Sequence, residues 1–124
     1  MAGAGISGRR WRVAFALVVL VHLVALYWPR VEMPDAPSGT DKLAHLLLFG
    51  VPALLSVVTL RQPWPFLAVL SLHAPLSEWL QSTLLPSRSG DLIDSLADLA
   101  GVAIGVLLGL RQRGRRALGP LVNS

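Results

Sequence analysis

The sequence predicts an all-α fold, a four-helix transmembrane bundle with both termini in the cytoplasm. Three observations lead there. Of the 124 residues, 53% are hydrophobic and 15% charged, whereas a soluble domain typically carries about a quarter charged residues. The apolar residues gather into four long runs, and the charges between those runs are sorted by sign. So much apolar surface excludes a disordered chain. The length fits one domain, residues 1–124. The absence of cysteine excludes a disulfide framework, a thiolate zinc site and a cysteine nucleophile.

A helix needs roughly 20 mostly apolar residues to cross a bilayer, which places the spans at about 12–28, 43–60, 64–83 and 92–110. The first reaches that length with Trp11 and Arg12 at the interface, where tryptophan and snorkelling arginine are favoured. Arg9, Arg10 and Arg12 before an apolar run also resemble a signal peptide. That run ends in Leu26-Tyr27-Trp28-Pro29, without a small-residue cleavage site, so it is read as a retained span. The third span runs on through Ser82, polar residues included. Residues 29–40 (PRVEMPDAPSGT) are proline-rich and read as an irregular outer loop. Pro52 and Pro75 lie inside spans, where they should kink the helix and free backbone carbonyls.

The sorted charges set the orientation. Arg9, Arg10, Arg12, Arg61, Arg111, Arg113, Arg115 and Arg116 fall on one side without an acid among them. All seven acids fall on the other side, with Arg30, Lys42 and Arg88, and the two sets together recover the net charge of +4. The positive-inside bias then predicts a multi-pass plasma-membrane protein with a basic cytoplasmic tail, 111–124. Anionic headgroups account for that tail, so the pI near 11.1 calls for no nucleic-acid partner. Trp11 and Trp64 fall at the inner ends of their spans and Tyr27, Trp28 and Trp79 near the outer ends, as interfacial belts require.

Ionisable groups inside spans are costly and normally face a bundle interior with a partner. Here they share one depth. Asp41, Lys42 and His45 occupy the first turns of the second span, Glu78 and Gln81 the last turns of the third, and Asp94 and Asp98 the first turns of the fourth. Arg88 and Asp91 lie in the loop between. Asp41 and His45 share a helical face, and Asp94 and Asp98 lie on one stripe with Gly101, Gly105 and Gly109. Glycines spaced by four let helices approach closely, within one chain or between two copies. Asp91 alone suits a helix dipole. His22 and His73 read as interhelical hydrogen-bond donors, and Ser71, Ser77 and Ser82 as packing residues.

The run Asp41-Lys42-x-x-His45-x-x-x-Phe49, then Glu78-x-x-Gln81, then Arg88-x5-Asp94-x3-Asp98-x2-Gly101-x3-Gly105 resembles the VanZ-like family of small membrane proteins over roughly residues 40–106. The family pattern often has asparagine where this chain has Asp98. The resemblance implies a multi-helix membrane protein, with a founding member linked to teicoplanin resistance, and supplies no reaction.

Three readings of the cluster follow. As an enzyme or metal site it offers carboxylate and imidazole ligands for a divalent cation, with Arg88 and Lys42 to hold a phosphate or carboxylate. Its spacing matches no defined metal motif and it has no serine elbow. As a binding site it would recognise a lipid or other amphiphile at the outer face. As a structural device its cations would neutralise the acids and lock the helices together. A proton-coupled transporter is poorly served, since the inner half offers His22 and His73 and no acid.

Overall fold

The computed structural model describes residues 2–28, 37–85 and 92–122. They form four helices, and no strand occurs among the described residues. These are α1 (Ala2–Tyr27), α2 (Thr40–Thr59), α3 (Trp64–Leu84) and α4 (Leu92–Val122).

Local chemistry sets their ends. Gly39 precedes α2 at φ +88°, a left-handed conformation that L side chains rarely adopt. Thr40 Oγ1 donates to the Pro37 carbonyl at 2.7 Å, closing that turn, and Asp41 supplies a favourable charge in the first turn. The α2–α3 connection is four residues, 60–63. Pro63 caps α3 and Pro65 lies in its first turn, where a missing N–H costs nothing. Leu85, extended at φ −111° and ψ 113°, ends α3 just before Pro86.

Contacts between helices fix the topology. Phe15 meets Phe66 edge-on at 5.0 Å, and Gln81 reaches Leu26, so α1 and α3 run the same way. Lys42 pairs with Asp94 and Arg113 Nη2 reaches the Leu60 carbonyl at 3.4 Å, so α2 and α4 also run together. The short connection turns α3 back against α2. An up-down-up-down bundle results. Its described arginines gather at one end, where Arg116 stacks over Trp11 at 5.1 Å, and its described acids gather at the other.

The α2–α4 pair is the most intimate contact. A Cβ added at Gly101 would strike the Leu46 carbonyl, one at Gly105 the Gly50 carbonyl, and one at Gly109 would come within 2.7 Å of Val57 Cβ. Gly50 completes the groove from the α2 side, since a Cβ there would come 3.0 Å from the Gly101 carbonyl oxygen. Backbone therefore meets backbone along three turns, the approach that small residues permit between helices.

The buried apolar cluster is thin, made of Leu26, Phe49, Ala53, Val57, Leu67, Leu70, Ala74 and Val102. Large apolar side chains cover the outside, among them Val21 at 61%, Leu72 at 72% and Leu107 at 62% exposure. A soluble monomer rarely exposes a continuous apolar surface of this kind. Three helical segments are long and apolar enough to cross a membrane, Gly8–Tyr27, Thr40–Thr59 and Leu92–Gly119, with mean hydropathies of 1.7, 1.7 and 1.8. α3 has comparable length at 21 residues. Its polar residues lower its hydropathy, and Ser77, Glu78 and Gln81 among them are buried against the bundle.

Two ends differ from the expected spans. α1 begins at Ala2, well before residue 12, and α4 continues to Val122 instead of ending near residue 110. In α4, arginine, glutamine, alanine and leucine over 111–118 are good helix formers and carry the helix past the apolar run. The glycine-rich start of α1 has no such propensity. The basic segment is not merely a tail. Arg113 also approaches the Arg61 carbonyl at 3.5 Å, placing a cation where the α2 carbonyls end. Most of the predicted 29–40 loop lies outside the described residues.

Gly105→Ala should lower thermal stability in detergent by about 1–3 kcal/mol, the usual cost of overpacking. Gly114→Ala meets nothing within 4 Å and should be neutral or stabilising by up to about 1 kcal/mol. Equal shifts for the two variants would show that close approach is not what Gly105 serves.

Candidate functional site

The acidic end is organised around His45, which is 3% exposed. Its Nδ1–H donates to Asp98 Oδ1 at 2.8 Å, and Glu78 Oε1 stands 3.7 Å from the same nitrogen. On the opposite edge of the ring, Nε2 faces Asp94 Oδ2 at 3.8 Å and Asp41 Oδ1 at 4.0 Å, beyond hydrogen-bond reach. Lys42 Nζ hydrogen-bonds Asp94 Oδ1 and lies 3.7 Å from Asp41 Oδ2. The lysine thus takes the outer oxygens of two carboxylates whose other oxygens look toward the imidazole.

Helical register explains the convergence. Asp41 and His45 are one turn apart on α2, as Asp94 and Asp98 are on α4. Because α2 and α4 are parallel and glycine-apposed, the two pairs meet at the same level. α3 adds Glu78 from its last turns.

Exposure is graded across the site. The side chains of Asp41 and Lys42 are 39% and 38% exposed, whereas that of Asp98 is fully buried. Asp98 Oδ2 is buried with no hydrogen-bond partner among the described residues. Polar atoms are rarely left so, and a buried carboxylate oxygen is costly without a compensating charge.

Of the residues singled out in the sequence, Asp41, Lys42, His45, Glu78, Asp94 and Asp98 are brought together. Gln81 has another task. Buried at 2% exposure, it donates Nε2–H to the Leu26 carbonyl at 2.6 Å and ties α3 to α1. Arg88 and Asp91 lie outside the described residues. Gly101, Gly105 and Gly109 face α2. Ser77 Oγ donates to the Ala74 carbonyl at 2.8 Å within its own helix, as does Ser82 Oγ to Trp79.

A second polar array lies deeper, and spacing along single helices does not reveal it. Pro52 has no N–H to give the carbonyl four residues back, that of Leu48. His22 of α1 supplies the missing donor, with Nδ1–H reaching the Leu48 oxygen at 2.7 Å. That fixes the tautomer of a neutral ring, leaving Nε2 to accept from His73 Nδ1–H at 3.2 Å. His73 Nε2 in turn accepts from the Tyr27 hydroxyl at 2.6 Å. One proline thereby orders a hydrogen-bonded chain across α2, α1 and α3. The available signal was depth, since His22 and His73 each stand five residues before an outer-end polar residue, Tyr27 and Glu78.

Chemically, the outer-end cluster combines an imidazole oriented by a carboxylate with two further carboxylates facing its other nitrogen. Donor atoms from Asp41, His45 and Asp94 lie within 4.8 Å of one another, as do those of His45, Glu78 and Asp98. No family model matches the chain, and no curated protein or solved structure matches it.

His22→Leu should cost about 1–3 kcal/mol by stranding the Leu48 carbonyl. In a Pro52→Ala background the restored amide serves that carbonyl, and the same substitution should cost markedly less. A double-mutant cycle of thermal or denaturant unfolding measures the difference. Strict additivity would mean that His22 does not answer to Pro52.

Proposed function

We propose that this chain is a multi-pass plasma-membrane protein of the VanZ-like kind. It spans four times with both termini in the cytoplasm, and its polar pocket at the outer membrane–water interface acts on or with an envelope amphiphile. The observation that carries this reading is the burial of His45, Glu78, Asp94 and Asp98 at one end of an apolar bundle, beneath the half-exposed Asp41 and Lys42. Ionisable groups at such a depth are expensive and mark functional sites by default. α3 supports the fourth span by its length, its packing beside the other helices and its inward polar face. The gathering of the described arginines at the opposite end supports the orientation through the positive-inside bias.

The pocket has the features of a headgroup site. The half-exposed Asp41 and Lys42 present a carboxylate and an ammonium, and the exposed Leu43 and Leu92 near the same end offer apolar surface that suits acyl chains. A structural reading draws on the Lys42–Asp94 and His45–Asp98 pairs, which cross from α2 to α4. Buried pairs give little net stability over apolar packing, so they do not by themselves account for the cluster.

Cysteines introduced at Ser38 and Ser124 should label from opposite sides of the membrane; labelling from the same side would refute the topology. Expression in a teicoplanin-susceptible host should reduce susceptibility, and His45→Gln should abolish that effect at unchanged protein level. Asp98→Asn introduces the commoner family residue and should retain it at least in part. A phenotype that follows protein abundance alone across these variants would leave only the structural role.

A further inference from the structure

Resting on the reading of the outer-end cluster as a binding site, we propose that it holds a divalent transition-metal ion. The ligands are Asp41 Oδ1, His45 Nε2 and Asp94 Oδ2, and Asp98 is the positioning residue that holds the imidazole. The inference starts from the two edges of one ring. With Nδ1–H given to Asp98 Oδ1 at 2.8 Å, a neutral His45 turns the lone pair of Nε2 toward two carboxylate oxygens. Lys42 already balances part of that carboxylate charge from the other side, and the three donor atoms lie within 4.8 Å of one another, close enough to share one cation.

The spacing suits an ion. Nε2 stands 3.8 Å and 4.0 Å from the two oxygens and hydrogen-bonds to neither. Ligands bound at about 2.0–2.2 Å in a tetrahedron lie ~3.4 Å apart, so the two distances to Nε2 need to shorten by about half an ångström, and the three atoms start within 4.8 Å of one another. Lys42 engages the opposite oxygens of both carboxylates and can stay in place while the inner oxygens bind.

Asp98 closes the opposite, Nδ1 edge of the same ring. Its side chain is fully buried within the cluster and Oδ2 has no hydrogen-bond partner among the described residues. A carboxylate behind a histidine is the usual outer partner of a metal-bound imidazole, fixing its tautomer and raising its basicity. The imidazole ligand favours zinc over calcium, magnesium or manganese, which suit oxygen, and Mn²⁺ serves as a paramagnetic probe of the same ligands. Three protein ligands leave coordination positions open toward the mouth beside Lys42, where an anionic headgroup oxygen of the amphiphile would add.

The test uses the full chain in detergent, free of any tag and stripped with chelator, titrated with Zn²⁺ or Mn²⁺ and with Mg²⁺ as the comparison. One Zn²⁺ per chain should bind, and Mn²⁺ should show a coupled imidazole nitrogen by pulsed electron paramagnetic resonance. His45→Gln should remove that nitrogen signal and weaken Zn²⁺ binding by about 100-fold or more, whereas His22→Leu should leave both unchanged. Asp98→Asn should weaken binding by about 10–100-fold and keep the nitrogen signal. Failure of the wild-type chain to bind Zn²⁺ stoichiometrically, or Mn²⁺ bound without an imidazole nitrogen, would overturn the proposal without reliance on any variant. Stoichiometric Zn²⁺ with no teicoplanin phenotype would uphold the metal site and sink the amphiphile reading. A phenotype in a chain that binds no ion would do the reverse.

Discussion

The distance between α2 and α4 governs what the acidic end can be. With side chains at Gly50, Gly101 and Gly105 the two helices would separate by the thickness of the added carbons. The carboxylates of α4 would then no longer reach the imidazole and ammonium of α2. Glycine is a poor helix former in water, costing about 1 kcal/mol relative to alanine. In an apolar solvent the balance changes, because unsatisfied backbone groups are too costly there for the helix to fray. The parallel course of the pair adds its own demand. Both dipoles point their positive ends toward the acids, whose charges offset the repulsion between like ends, and Arg113 meets the negative end of α2.

Below that level the same scarcity of water pairs most of the buried polar groups, Thr59 Oγ1 excepted. The carbonyl freed by Pro52 is met by His22, the Leu26 carbonyl is met by Gln81, and Ser56 Oγ donates to Ala53 at 2.7 Å. Each bond joins a backbone defect or spare acceptor to a donor within the bundle. α1 would otherwise rest on little, since only 11% of its apolar window is buried. Its hold on the bundle comes from Leu26, the Phe15–Phe66 contact and these polar ties.

Much of this was legible in the residues. Apolar runs of span length mark the helices, and one-turn spacings mark which side chains share a face. Together they single out Asp41, His45, Asp94 and Asp98 at one depth. Spacing reports depth and direction within a helix, however, and not which neighbour is met there. For that reason Gln81, at the right depth, was expected with the acids although it turns to α1. His22 and His73 do form the interhelical hydrogen bonds that their depth predicts. Their linkage to each other and to Tyr27 is not legible, since its members come from two helices and its logic begins with a proline on a third. The continuation of α4 through its arginines was hidden by reading the end of hydropathy as the end of a span. Helix formation needs only propensity and backbone hydrogen bonds, which the arginine-rich segment retains.

The fixed separation of the two charged ends has a further consequence. From His45 to Leu60, and from Asp98 to Arg113, is 15 residues, roughly 22 Å of helix rise. The hydrocarbon layer of a typical bilayer is about 30 Å thick. With the arginine end pinned among headgroups, the imidazole would lie several ångströms beneath the far boundary, below a mouth formed by Asp41 and Lys42. Water access to it would then depend on local membrane thickness, opening where the bilayer thins and closing where it thickens. The bundle would act as a ruler, and lipid composition would set how far the pocket stands from the surface.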